Sequence, residues 1–302
     1  MCNNCPKNPV YKLHSGEQLC QNCFFKYFEK KVRKTIRVYK LVEKKDEIAV
    51  AVSGGKDSLT VLDILYNIYK ENKKITLKAL MIDEGIKGYR NECIAPTKKF
   101  CKERKIPLEI VSYKKEFSFD LDQVVKGRKP CSVCGVLRRS LLNSYAKKLQ
   151  VKKLATGHNL DDEAQTIIMN QFRKNIGASA RLGPMTGIED HEAFVRRIKP
   201  LYFMSEKEIM TYAFLKGIVR EFNECPYNKE SYRNQVREML NNFEELYPGT
   251  KHSIVSSFME ILPALQKQEK KGKIKYCMKC KEPSSQDVCQ KCAVLEQLKL
   301  PQ

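Results

Sequence analysis

Residues 47–58 read EIAVAVSGGKDS, a Val-rich apolar run that stops at a Ser-Gly-Gly-Lys-Asp-Ser loop and continues into the helix-like stretch LTVLDILYNIY. An apolar run of this length before a Gly-rich turn predicts a buried strand, a phosphate-cradling loop and a helix in succession. Gly54 and Gly55 have no Cβ, so the backbone can fold tightly and turn its N–H groups toward an anion. The helix that follows adds its positive N-terminal end. Lys56 supplies a mobile charge, Asp57 a carboxylate, and Ser53 and Ser58 hydroxyls. An Asp directly after the Lys sets the loop apart from the Gly-x-x-x-x-Gly-Lys-Ser/Thr pattern of kinases and GTPases.

Beyond the loop, apolar periodicity predicts strands at 47–52, 76–82, 107–112, 151–156 and 194–199. Helices are expected between and after them at 58–70, about 95–104, 134–149, 161–174, 205–215, 229–245 and 253–267. Such alternation gives an α/β fold, a parallel sheet covered by helices on both faces. A basic amphipathic helix over 24–42 leads into the first strand, its Lys and Arg forming a solvated face or contacting phosphates. Residues 269–275, EKKGKIK, read as a linker.

In open sheets of this kind ligands bind outside the carboxyl ends of the strands. There the backbone of Leu80–Ile82 is placed for an adenine, and Asp83 or Glu84 for a sugar or a metal, or simply for solvent. ATGHNLDDEAQT (155–166) passes from a strand through Gly157 to a loop with His158, Asp161 and Asp162 at a helix start. Asp161 suits a helix cap. Asp162, beside a nucleotide, suits Mg2+ on a pyrophosphate leaving group.

The 13 cysteines fall into groups. Cys2-x-x-Cys5 with Cys20-x-x-Cys23, and Cys277-x-x-Cys280 with Cys289-x-x-Cys292, each offer two knuckles that complete a tetrahedron. Two structural Zn2+ ions are expected, with redox dithiols or an iron centre as the alternative. Cys131-Ser-Val-Cys134-Gly135 opens a helix beside Arg128, Lys129, Arg138 and Arg139, which should lower its thiol pKa values. With Cys225, the pair makes three thiols, a set that suits an iron–sulfur cluster with one iron left open. Cys93 and Cys101 read as unrelated buried thiols.

Formal charge is +21, from 56 Lys and Arg against 35 Asp and Glu, which favours a polyanionic partner over a small neutral substrate. No apolar leader opens the chain and no run approaches the ~18 apolar residues of a membrane span, so a reducing, cytoplasmic compartment and no membrane are expected.

The Ser-Gly-Gly-Lys-Asp-Ser loop resembles the PP-loop of the ATP pyrophosphatases, which split ATP between its α and β phosphates. With Cys131-x-x-Cys134, Gly157-His158-Asn159-x-Asp161-Asp162, Cys225-Pro226 and both terminal cysteine modules, the whole chain is similar to the tRNA 2-thiouridine synthetases of the TtuA and NcsA group. That resemblance implies a Rossmann-like fold of the HUP, or adenine nucleotide alpha hydrolase, type. It divides the chain into an N-terminal zinc ribbon (1–30), a catalytic domain (31–268) and a C-terminal zinc ribbon (269–302). It further implies an ATP site of Ser53, Gly54, Gly55, Lys56, Asp57, Ser58, Gly157 and Asp162, and a 4Fe-4S cluster on Cys131, Cys134 and Cys225. The expected reaction is adenylation of the 2-oxygen of a tRNA uridine and its replacement by sulfur, with Lys56, Asp57, Asp162 and the three cysteines as catalytic groups. Sulfide, a persulfide or a ubiquitin-like thiocarboxylate are the candidate donors, and a homodimer is expected. Two departures are small: some relatives carry His where Cys23 stands, and Pro96 sits early in a helix that relatives run through. The rival readings are a zinc-ribbon nucleic-acid-binding protein with a vestigial loop, another PP-loop reaction such as lysidine formation or amidation, and a cluster-free thiolase shuttling persulfide through Cys134 and Cys225. Lysidine formation and amidation need no cysteine trio.

Overall fold

Alternate residues along the central strands face opposite cores, and this fixes the layering. Ile48, Val50 and Val52 pack with Leu59 and Leu62 on one side, while Ala49, Leu80, Ile82 and Leu154 pack with Leu137 and Leu141 on the other. The computed structural model describes residues 1–125, 130–187, 192–218, 224–228, 231–269 and 274–298. Its sheet has strands β1 (Glu47–Val52), β2 (Thr76–Asp83), β3 (Leu108–Ser112), β4 (Lys153–Ala155) and β5 (Arg196–Ile198), in the order β3-β2-β1-β4-β5. All four pairings are parallel, as expected for strands buried on both faces. The order reverses between β1 and β4, so the crevice above their carboxyl ends is where this topology opens a ligand site.

Helices α1 (Gln21–Val38), α2 (Lys56–Tyr69), α3 (Arg90–Glu103), α4 (Pro130–Lys148) and α5 (Leu160–Phe172) are joined by α6 (Glu206–Leu215), α7 (Tyr232–Leu246) and α8 (Thr250–Gln268). The last, α9 (Gln290–Gln297), belongs to the C-terminal cysteine module. Helix α1 buries Phe24, Phe28, Val32 and Ile36, a four-residue repeat that makes one apolar stripe. Phe28 stacks on Tyr212 of α6 with ring centroids 4.2 Å apart, and its loss to Ala would cost about 3–5 kcal/mol. Among the described residues no helix is long and apolar enough to cross a membrane.

The helix expected over 134–149 begins four residues earlier, at Pro130, and two others depart from the sequence expectation for identifiable reasons. The basic helix, expected over 24–42, stops at Val38 because Lys40 takes a φ of +48°, the left-handed turn that ends a helix. The helix expected from about 95 begins at Arg90 and carries Pro96 inside it. Proline there removes one hydrogen bond, but Arg90 anchors the preceding turn through bonds to the carbonyls of Ser53 and Ile82.

Candidate functional site

The loop between β1 and α2 is held in shape before any ligand arrives. Gly54 has a φ of +86°, and a Cβ there would lie 2.6 Å from Cβ of Cys93, so only glycine fits. Ser58 Oγ accepts from the backbone N–H of Ser53 at 3.0 Å and donates to the carbonyl of Gly55 at 3.0 Å, drawing the loop closed. Arg90 pins it from α3 by donating to the Ser53 carbonyl at 3.0 Å. No side chain caps α2 at Gly55, which leaves the first-turn N–H groups of that helix to an anion.

Lys56 at the head of α2 lies 3.1 Å from Asp57 and 2.9 Å from Glu206. Burial works against its charge, but the two carboxylates outweigh burial and hold its pKa above the usual lysine range. Arg237 closes on the same Glu206 at 3.0 and 3.1 Å.

The β4–α5 loop comes down onto this one. Asn159 caps α5 by accepting from the N–H of Asp162 at 3.0 Å, and its amide donates to Asp57 at 3.0 Å, so one side chain ties the two loops together. Asp162 completes the capping box and lies 3.8 Å from Arg233. Burial raises its pKa to about 6, with Arg233 pulling the other way. His158 Nδ1 is 2.9 Å from Thr156 Oγ1, and loss of water around the ring, then Lys199, Arg233, Arg197 and Arg138, push its pKa down. Asp161 does not cap its own helix: it accepts from the N–H of Glu206 at 2.7 Å and from Lys251, and so fastens α6 and α8 to α5.

One cleft of about 1240 Å³ is lined by residues 53–57, Asn159 and Asp162, by Glu206, Arg233 and Arg237, and by Tyr89, Cys93 and Cys225. Ser58 and Gly157 stand behind the loop as its support. The expectation for Glu84 is corrected: it is 2% exposed and ion-paired to Arg90 at 3.0 Å and Arg138 at 3.4 Å, facing the cysteines.

A smaller cavity of about 160 Å³ adjoins the cleft and is lined by Cys131, Cys134 and Cys225 together with Ser53, Tyr89 and Arg138. Ser53, Tyr89 and Cys225 line both spaces. Thiols separated by more than ninety residues thus share one wall, the arrangement a three-thiolate cluster requires. Cys131 donates to the Tyr227 carbonyl at 3.3 Å, and Tyr113 donates to the Cys134 carbonyl at 3.0 Å. The lowered thiol pKa expected of the Cys131 and Cys134 pair is not found at Cys134. Burial pushes Cys134 up to about 11, with Arg138 opposing and Glu84 assisting, and burial also raises Cys225. Arg128 and Lys129 lie outside the described residues. Cys93 and Cys101 are buried as expected, although Cys93 also touches the cleft beside Gly54.

Each terminal module gathers its four sulfurs within 4.8 Å of one another, a closed donor set that fits tetrahedral Zn2+. Backbone hydrogen bonds hold Cys2 and Cys277 below the usual thiol range. Neither module stands apart. Helix α9 packs on α4, with Val294, Leu295 and Leu298 joining the core that contains Cys134. Helix α1 packs on α6, where Lys31 and Tyr27 meet Glu208 at 2.9 and 2.7 Å.

Sequence reasoning named Asn159 only as part of its motif and missed Glu206, Arg233 and Arg237. The i, i+4 spacing of the two arginines, which puts them on one face of α7, was the available signal.

A family model for the PP-loop domain matches residues 26–244. The tRNA 2-thiolation protein NcsA of Haloferax volcanii is 35% identical over 98% of this chain and 98% of its own length. The tRNA-5-methyluridine(54) 2-sulfurtransferase of Pyrococcus horikoshii is 36% identical over 96% of this chain and 92% of its own. The solved structure of U34-tRNA thiolase NcsA from Methanococcus maripaludis, with its [4Fe-4S] cluster, superposes with a TM-score of 0.85 at 35% identity, covering 100% of this chain and 97% of that one.

Proposed function

The chain belongs to the PP-loop family of tRNA 2-thiolation proteins, and we propose that it is an ATP-dependent tRNA sulfurtransferase that makes 2-thiouridine in the paired cavities described above. The observation that carries this reading is the shared wall: Ser53, Tyr89 and Cys225 border both the nucleotide cleft and the cysteine cavity. Activation and sulfur delivery can then act on one uridine without its moving between sites.

A uridine 2-oxygen attacks the α-phosphorus of ATP, the bond to the β-phosphate breaks, and pyrophosphate leaves. Sulfur as hydrosulfide then attacks carbon 2, the carbon–oxygen bond breaks, and AMP departs with the original oxygen. Activation is needed because a carbonyl oxygen is a poor leaving group and AMP a good one. Lys56 and the free N–H groups of α2 stabilise the charge growing on pyrophosphate, an effect worth most when the donors are preorganised. Asp57 and Asp162, both on the cleft wall, are the carboxylates for Mg2+ on the phosphates. Cys131, Cys134 and Cys225 would hold a 4Fe-4S cluster, and the small cavity they line fits that donor set. Such a cluster offers an iron without a protein ligand as the place where sulfur is delivered.

The finer features of the reading are two structural Zn2+ ions, a cytoplasmic homodimer, and sulfide, a persulfide or a ubiquitin-like thiocarboxylate as donor. By their names, relatives act at uridine 34 and at position 54, so nucleoside mapping on a deletion strain's tRNA assigns the position. The test of the reaction class is product analysis with tRNA present. AMP, pyrophosphate and 2-thiouridine are expected, and Lys56→Ala should abolish all three. ADP and phosphate would overturn it.

A further inference from the structure

Two arginines, one of them next in sequence to the cavity-lining Arg138, have no acidic partner among the described residues. In the register of β4 and β5, Leu154 pairs with Arg197, so Arg197 stands on the sheet face that Leu154 turns toward α4. On α4, one turn beyond the Cys131 and Cys134 pair, Arg139 folds back over Gly135, its Nη1 only 3.1 Å from where a Cβ would be. A glycine at that position lets the guanidinium lie along the helix toward its N-terminal end, which carries Cys131 and Cys134. Arg139 is exposed and Arg197 half-buried, and Arg138, whose guanidinium shares Glu84 with Arg90, stands next in the row.

Crowding like charges in this way is costly. Burial, then the charge of Arg139, makes half-buried Arg197 a weaker base than usual. Arginine stays charged regardless, so the repulsion persists until an anion arrives. Arg197 and Arg138 also act on His158, in the β4–α5 loop at the carboxyl edge of the sheet.

We propose that Arg139 and Arg197 form a phosphate clamp for the RNA backbone flanking the target uridine, holding the strand so that the base enters the shared wall of the two cavities. The proposal rests on the tRNA sulfurtransferase reading and names the residues that seat its substrate. Guanidinium forks suit phosphodiester oxygens, and each phosphate neutralised releases condensed counterion. Contacts of this kind carry affinity and register and leave base identity to the pocket.

The test is binding of an unmodified tRNA transcript to the full-length metallated protein across a salt series, for the wild type, Arg139→Gln/Arg197→Gln and Arg139→Lys/Arg197→Lys. Zinc content and far-UV circular dichroism verify that each variant is folded. The double Gln variant should bind about tenfold or more weakly at ~0.15 M salt, with a log–log slope less negative by about two. The Lys variant, which keeps the charge, should retain most of the slope. A double Gln variant with wild-type affinity and slope would overturn the clamp while leaving the sulfurtransferase reading intact. A wild type with no salt-dependent tRNA binding would overturn both.

Discussion

Gly157 leaves no room for a side chain against Ser58: a Cβ on it would lie 2.8 Å from the Ser58 nitrogen and 2.9 Å from the carbonyl carbon of Asp57. The β4–α5 loop therefore props the nucleotide loop by direct backbone contact. Gly157→Ala should push that loop out of place, lowering stability by about 1–3 kcal/mol and turnover by about a hundredfold, with both terminal metal sites intact. Thermal unfolding and single-turnover AMP release measure the two effects. Wild-type turnover in the Ala variant would show that the contact does not position the loop.

Glu208 makes stability depend on pH. Its carboxylate meets Lys31 at 2.9 Å and accepts from Tyr27 at 2.7 Å, joining the N-terminal module to α6. Burial works against its ionisation, but Lys31 and Tyr27 outweigh burial and hold its pKa below the ordinary 4.5. A carboxyl depressed in the folded state contributes stability that is complete above the unfolded value and is lost as pH falls through the folded one. Glu208→Gln keeps the capping hydrogen bonds with Ser205 but loses the ion pair, at a cost of about 1–3 kcal/mol near neutrality. Urea midpoints from pH 7 downward should converge for variant and wild type below about pH 4.5, and a constant gap would contradict the assignment.

The sheet was readable because its signals are local. A Val-rich run ending in a Gly-rich loop marks β1, and each expected strand lies within two residues of the observed one at either end. The cysteine quartets were equally plain, because their ligand pairs sit on single turns. What the sequence hid was whatever depends on distant packing. Glu206 reaches Lys56 across 150 positions, and nothing near Glu206 in the chain announces that partner. The raised pKa of Cys134 was missed for the same reason: helix polarity and neighbouring arginines are visible in sequence, whereas the burial that overrides them comes from the surrounding core.

Because α9 packs on α4, the C-terminal module should support the cysteine cavity as well as itself. Cys280→Ser should remove one of about two zinc ions per chain and weaken iron retention after anaerobic reconstitution. Elemental analysis for both metals decides this. Full iron retention in a variant that has lost its C-terminal zinc would mean that α4 holds its place alone.

Iron content and 2-thiouridine formation, measured together on anaerobically reconstituted protein, test the central claim that Cys131, Cys134 and Cys225 act as one set in the shared cavity. About four iron per chain is expected, with oxygen-sensitive activity. Replacing any one of the three by Ala should lose both iron and thiolation, while Cys93→Ala and Cys101→Ala keep both. Full activity from rigorously iron-free protein would contradict the account and leave persulfide transfer through Cys134 and Cys225 in its place.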